Sequence, residues 1–79
     1  MSYPEKQLTF GEKACGVSFN PGGDESVAMI KAKFADIVDE MQALRESTEN
    51  EEMKRMYSIA ITEAQTAQMW AVKAVTWKF

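Results

Sequence analysis

The sequence predicts an all-α protein: an antiparallel two-helix hairpin preceded by a short N-terminal helical turn, assembled as a homo-oligomeric helical bundle. Three observations carry this. Val27, Ile30, Phe34, Ile37, Met41 and Leu44 recur at alternating steps of three and four, the heptad spacing of one helix face. From Met53 to Phe79 there is neither glycine nor proline, and Ala60, Ala64, Ala67, Ala71 and Ala74 fall on one helical stripe. Between the two lies only Ser47-Thr48-Glu49-Asn50-Glu51, too short a connection for anything but an antiparallel pair.

The elements follow in chain order within a single domain, 1–79, divided into an N-terminal arm (1–23), helix one (24–46) and helix two (49–77). In the arm, Thr9 and Glu12 have the spacing of a capping box, so a short helical turn is expected there, stopped near Gly16. Phe19-Asn20-Pro21-Gly22-Gly23-Asp24 is a concentrated turn signal whose last residue caps helix one. Helix one carries the heptad seam, widened by Val38, while Asp36, Asp39 and Glu40 are expected to form a solvated face. Thr48 and Glu51 have capping-box spacing, which starts helix two near Glu49.

In the hairpin, the large side chains of helix one are expected to rest on the alanine stripe of helix two. That leaves Ile59, Met69, Trp70 and Trp77 without cover. A 79-residue chain buries only about 60% of its unfolded surface, and its usual staples are missing. There is no histidine, and Cys15 is the single cysteine, so neither metal nor an internal disulfide is expected. Cys15 reads as a small packing residue. Self-association, with the tryptophan stripe between protomers, is the remaining way to cover such a helix.

Charge is uneven: residues 1–23 are neutral, 24–52 carry −6 and 53–79 carry +3, for a net −3. An acidic chain without a basic block is poorly suited to long nucleic acid, where affinity depends on neutralising many phosphates. No membrane-length apolar run and no signal-peptide core is present, so a cytoplasmic protein is expected. There is no catalytic triad, zinc spacing or phosphate loop, and neither an enzyme nor a cofactor is expected.

Three features suit an anion that carries bases. The glycines of the Asn20-Pro21 turn allow close backbone approach, and the amides at the following helix start can receive a phosphate. Lys31 and Lys33 lie early in helix one, where the dipole disfavours a cation unless an anion meets it. Phe10, Phe19 and Tyr3 offer rings on which a base can stack. Lys73 interrupts the densest apolar stretch and must either snorkel to water or face an anion.

The same residues carry a family resemblance. Phe19-Asn20-Pro21-Gly22-Gly23-Asp24, Ile30-Lys31, Ser58 to Thr62 and the A-x-T-x(6)-M-W-A-x-K-A pattern from Ala60 resemble the phage anti-CBASS sponge family, which shares its helical hairpin with some anti-Thoeris proteins. The resemblance spans roughly Val17 to Trp77. It implies a phage anti-defence protein, commonly a homohexamer, that sequesters cyclic di- and trinucleotide second messengers without cleaving them. By position it gives Phe19, with Asn20 and Pro21 of the turn, the base-stacking place, and Lys31 the phosphate of a cyclic dinucleotide held between protomers. Phe10 and Tyr3 are the alternative rings. Lys33 and Lys73 are the candidates for a second, trinucleotide site. A small oligomeric structural or protein-interaction module with no nucleotide ligand is the alternative reading.

Overall fold

The computed structural model describes residues 7–79, so Tyr3 lies outside the described residues. Three helices follow one another: α1 (Phe10–Ala14), α2 (Glu25–Ser47) and α3 (Glu51–Val75). No strand occurs among the described residues. Helices α2 and α3 form the hairpin, and α1 packs against α2.

Each helix start is made by a side chain that satisfies orphan amides. Thr9 caps α1, its hydroxyl accepting from the Glu12 amide (3.0 Å) while the Glu12 carboxylate accepts from the Thr9 amide (2.9 Å), the reciprocal capping box that the spacing predicts. Gly16, at φ 61°, turns the chain out of α1 in a conformation that costs an L-residue and not glycine. Asp24 caps α2 by accepting from Ser26 (2.7 Å) and Val27 (3.1 Å). For α3 the expectation is corrected. Asn50, not Thr48, is the cap, accepting from the Met53 amide (2.9 Å), and the helix begins at Glu51 rather than 49. Thr48 instead ends α2, and its hydroxyl oxygen accepts from the Asn50 amide. Asparagine is among the strongest caps, and here it outcompetes a threonine placed two residues earlier. At the other end α3 stops at Val75, where the Thr76 hydroxyl donates to the Val72 carbonyl.

The core draws on all three segments: Cys15 and Val17 from the arm, Ala35 and Val38 from α2, and Ile61 from α3, ringed by Leu8, Phe34, Met41 and Ala64. The described part of the arm is therefore a third layer of the core. Its docking changes two sequence expectations. Asp39, expected in water, accepts from the Gly11 amide (2.6 Å) and from the Thr9 hydroxyl (2.7 Å), anchoring α1 onto α2. The backbones approach so closely there that a Cβ on Gly11 would collide with the Ala35 carbonyl. With two partners packed against it, α2 has a buried stripe of Val27, Lys31, Ala35 and Val38, whereas the predicted seam residues Ile37 and Leu44 are exposed.

A similar rotation applies to α3. Its buried positions are Ile61 and Gln68, with Ala64 beside them, while Ala67 and Ala74 are exposed. The alanine stripe is thus the shoulder of the contact rather than its centre. Ile59, Met69, Trp70 and Trp77 are all exposed, as expected of a face the hairpin does not cover; Trp70 is 66% and Trp77 59% exposed. Two cross-links complete the frame: the Gln65 amide donates to the Ala14 carbonyl (3.0 Å), and Arg45 donates to Ser58 (3.0 Å) with its guanidinium 5.6 Å from the centre of the Phe10 ring.

Two outcomes follow from this core. Asp39→Ala leaves the Gly11 amide and the Thr9 hydroxyl without their acceptor, and should lower stability by about 1–3 kcal/mol; a reduced urea midpoint with an unchanged slope is expected, and an unmoved midpoint would contradict the anchoring role. Burial pushes the Cys15 thiol above its ordinary value, Asp39 adds to the rise, and Lys31 partly offsets it. Above the ordinary thiol value the unfolded chain has released a proton that native Cys15 retains, so this residue makes stability fall as pH rises through that window. Alkylation in mildly alkaline buffer should accordingly be far slower for the native protein than in denaturant, and Cys15→Ala should flatten the alkaline loss of stability.

Candidate functional site

The turn before α2 is fixed from within. The Asn20 side chain donates to the Asp24 carbonyl (2.9 Å) and accepts from the Asp24 amide (3.3 Å), while the Gly23 amide donates to the Asn20 carbonyl (2.9 Å) with Gly23 at φ 64°. Asn20 is thereby a bracket around the turn. The amides expected to receive a phosphate, those of Ser26 and Val27, are taken by Asp24, so the helix start itself is already neutralised.

Lys31 fixes the turn from outside. It is 6% exposed, and its ammonium donates to the Gly16 carbonyl (3.0 Å) and the Phe19 carbonyl (2.5 Å), lying 5.5 Å from the centre of the Phe19 ring. The free surface cation suggested by its place in the sequence is instead an interior one. Burial pushes its pKa below the ordinary lysine value, and the neighbouring Cys15 pulls in the opposite sense. An ammonium has three protons to donate. Two go to these carbonyls, and one is left for a further acceptor.

Phe19, in contrast, is 71% exposed. Together with Asn20, Pro21 and Lys31 it borders a cleft of about 440 Å³, lined on the far side by Val72 and Val75 from the end of α3 and by Trp77 just beyond it. The structure therefore brings four of the sequence-predicted residues into one place. It also adds Trp77 and Lys78, which the sequence reading did not include in a site. A tryptophan two turns after Trp70 reads as interface, and Lys78 carries no spacing signal, so neither stood out.

A second cleft, of about 460 Å³, opens on the other side of Phe19 and Lys31, which line both. Its walls are Lys13 and Cys15 from the arm and Gln65, Gln68 and Met69 from α3. The signal that could have found it is Gln68, a polar residue in register with Ile61 and Ala64 on the inner face of α3.

The remaining candidates lie elsewhere. Lys33 is exposed on α2 and borders neither cleft. Lys73 sits on the outer face of α3 with its ammonium 5.3 Å from the Trp70 ring centre and 5.8 Å from that of Trp77, a cation laid across two aromatic faces. Phe10 lies against Arg45 and borders neither cleft, which separates this alternative ring from the Phe19 site. Among the described residues no cluster of metal-ligating side chains occurs, and no helix is long and apolar enough to cross a membrane.

Comparison with known proteins adds one match. Residues 12–76, from within α1 to the cap of α3, match the family model described as Acb2/Tad1, hairpin domain. No curated protein and no solved structure matches the chain. The matched span includes both long helices, the Phe19 turn and Lys31, and on it the chain belongs to the Acb2/Tad1 hairpin-domain family, whose members are sponge-type proteins that bind cyclic nucleotides in phage anti-defence.

Proposed function

We propose that this protein is a stoichiometric trap for a cyclic oligonucleotide second messenger, acting in the cytoplasm of the infected bacterium and releasing its ligand unaltered. The observation that carries the reading is the Phe19–Lys31 pair: an exposed ring beside an ammonium with one uncommitted proton, on the border of two clefts. A base stacks on the ring, a contact worth roughly 1–3 kcal/mol, and a phosphate oxygen takes the remaining Lys31 proton as a charge-assisted hydrogen bond. Asn20, which brackets the turn, and Pro21 border the ligand beside the ring.

The assembly proposed is a homo-oligomer, with six subunits as the resemblance implies, joined through the exposed Ile59, Trp70 and Trp77 face of α3. Lys73, laid over the two tryptophans, would then stand at that junction, and with Lys33 it is the proposed cation set of a trinucleotide site. The exposed tryptophan face also favours a second reading, an interaction module that binds a protein and no nucleotide.

Thermal unfolding with a panel of cyclic di- and trinucleotides separates the two. A ligand at 100 times its dissociation constant adds about 2.7 kcal/mol, which gives a shift of several degrees in a domain of this size. A shift with at least one cyclic nucleotide, recovered intact after denaturation, is expected. No shift with any of them leaves the interaction module, and recovery of linear products would replace the trap with a hydrolase.

A further inference from the structure

The second cleft contains a polar group without a visible purpose in the fold. Gln68 is 5% exposed, on the inner face of α3 between the arm and α2, and its carboxamide makes no hydrogen bond among the described residues. Its neighbour Gln65 is employed structurally, donating to the Ala14 carbonyl. Among the described residues no fully buried side-chain nitrogen or oxygen is left without a partner, so the Gln68 amide keeps its access to solvent, and the opening it lines is the second cleft. Leucine or methionine would fill the same place in the Ile61–Ala64 stripe, so packing alone does not call for an amide there.

From this geometry we infer that Gln68 is a specificity-determining residue that reads the edge of a nucleobase seated in the second cleft. A carboxamide offers one acceptor and one donor side by side. Adenine presents the complement on one edge, the N6 amino donor beside a ring-nitrogen acceptor, which is the pairing glutamine makes with adenine in nucleic-acid recognition; guanine offers N1–H beside O6, so the two purines are told apart by replacing the carboxamide with an acceptor-only carboxylate. Phe19 borders the same cleft and supplies the flat wall, and the Lys31 ammonium stands between this cleft and the first. A ligand whose base enters beside Gln68 thus places its phosphate within the reach of the divide. The inference rests on the proposed nucleotide-trapping function and adds to it the residue that selects the base.

The test compares the unmutated protein with Gln68→Met and Gln68→Glu, using cyclic diadenylate and cyclic diguanylate as probes and calorimetry as the readout. Methionine keeps the volume and removes both hydrogen bonds, so adenylate affinity should fall about tenfold. A carboxylate only accepts, so Gln68→Glu should lose adenylate and favour guanine, whose N1–H and N2–H2 are two adjacent donors. The expected signature is a shift of the diguanylate-to-diadenylate preference of about tenfold relative to the unmutated protein. Equal preference in folded Gln68→Glu and the unmutated protein overturns the inference while the trap reading stands. An unmutated protein that binds neither probe nor any other cyclic nucleotide overturns the trap reading itself. Should a variant not fold, the unmutated protein with a cyclic dipurine nucleotide lacking the N6 amino group gives the answer from the ligand side: affinity equal to that of diadenylate refutes the pairing.

Discussion

The interaction on which the arrangement of this small protein turns is the buried Lys31 ammonium. An isolated charge inside a protein is costly, and it is retained only where hydrogen bonds replace its water. Here two backbone carbonyls do so, those of Gly16 and Phe19. Both belong to the arm, while the lysine stem belongs to α2, so the contact closes a loop of irregular chain against a regular helix. These two hydrogen bonds offset part of the cost of taking the ammonium out of water, a cost that shows in its lowered pKa, and they fix the path of the loop against α2. The same tie positions the exposed Phe19 ring and divides one cleft from the other.

The consequences run outward from α2. Because the arm and α3 both pack against it, α2 buries Val27, Lys31, Ala35 and Val38, a stripe set by two partners at once. Helix α1 is attached at both ends: Asp39 receives its start, Gln65 meets its last carbonyl, and Cys15 and Val17 carry the chain into the core. What α2 and α3 cannot cover among themselves is the tryptophan face of α3, directed away from Ile61 and Gln68. A cleft near that face, bordered by Trp77 on one side and the Phe19 turn on the other, links the proposed ligand site to the proposed assembly.

Much of the fold was legible in the sequence because it is written in local signals. The Thr9–Glu12 box, the Asp24 cap, the glycine at 16 and the long run without glycine or proline each act within a few residues, and each places an element. The rotation of the helices was not legible. A heptad pattern reports that a face is apolar and assumes one partner; it does not register a third segment, so Ile37 was expected inside and Asp39 outside. Phe19, Asn20, Pro21 and Lys31, singled out by turn, charge and aromatic signals and by the family resemblance, border one cleft. That Lys31 is an interior residue was hidden, because its carbonyl partners belong to a loop whose path no periodicity describes. Lys33, named for its place early in helix one, Lys73, for its interruption of an apolar stretch, and Phe10, as an alternative ring, border neither cleft.

Lys31 is thus the tie between the arm and the hairpin, and so the residue that builds the Phe19 turn. Amide hydrogen exchange in the protein with Lys31→Met measures this most directly, because methionine keeps the buried stem and removes only the ammonium. The expected result is a selective loss of protection at the Phe19 and Gly23 amides, which donate to Gly16 and Asn20, with the centres of α2 and α3 protected as before. Unchanged exchange at Phe19 and Gly23 would contradict the claim, since the turn would then hold without the charge.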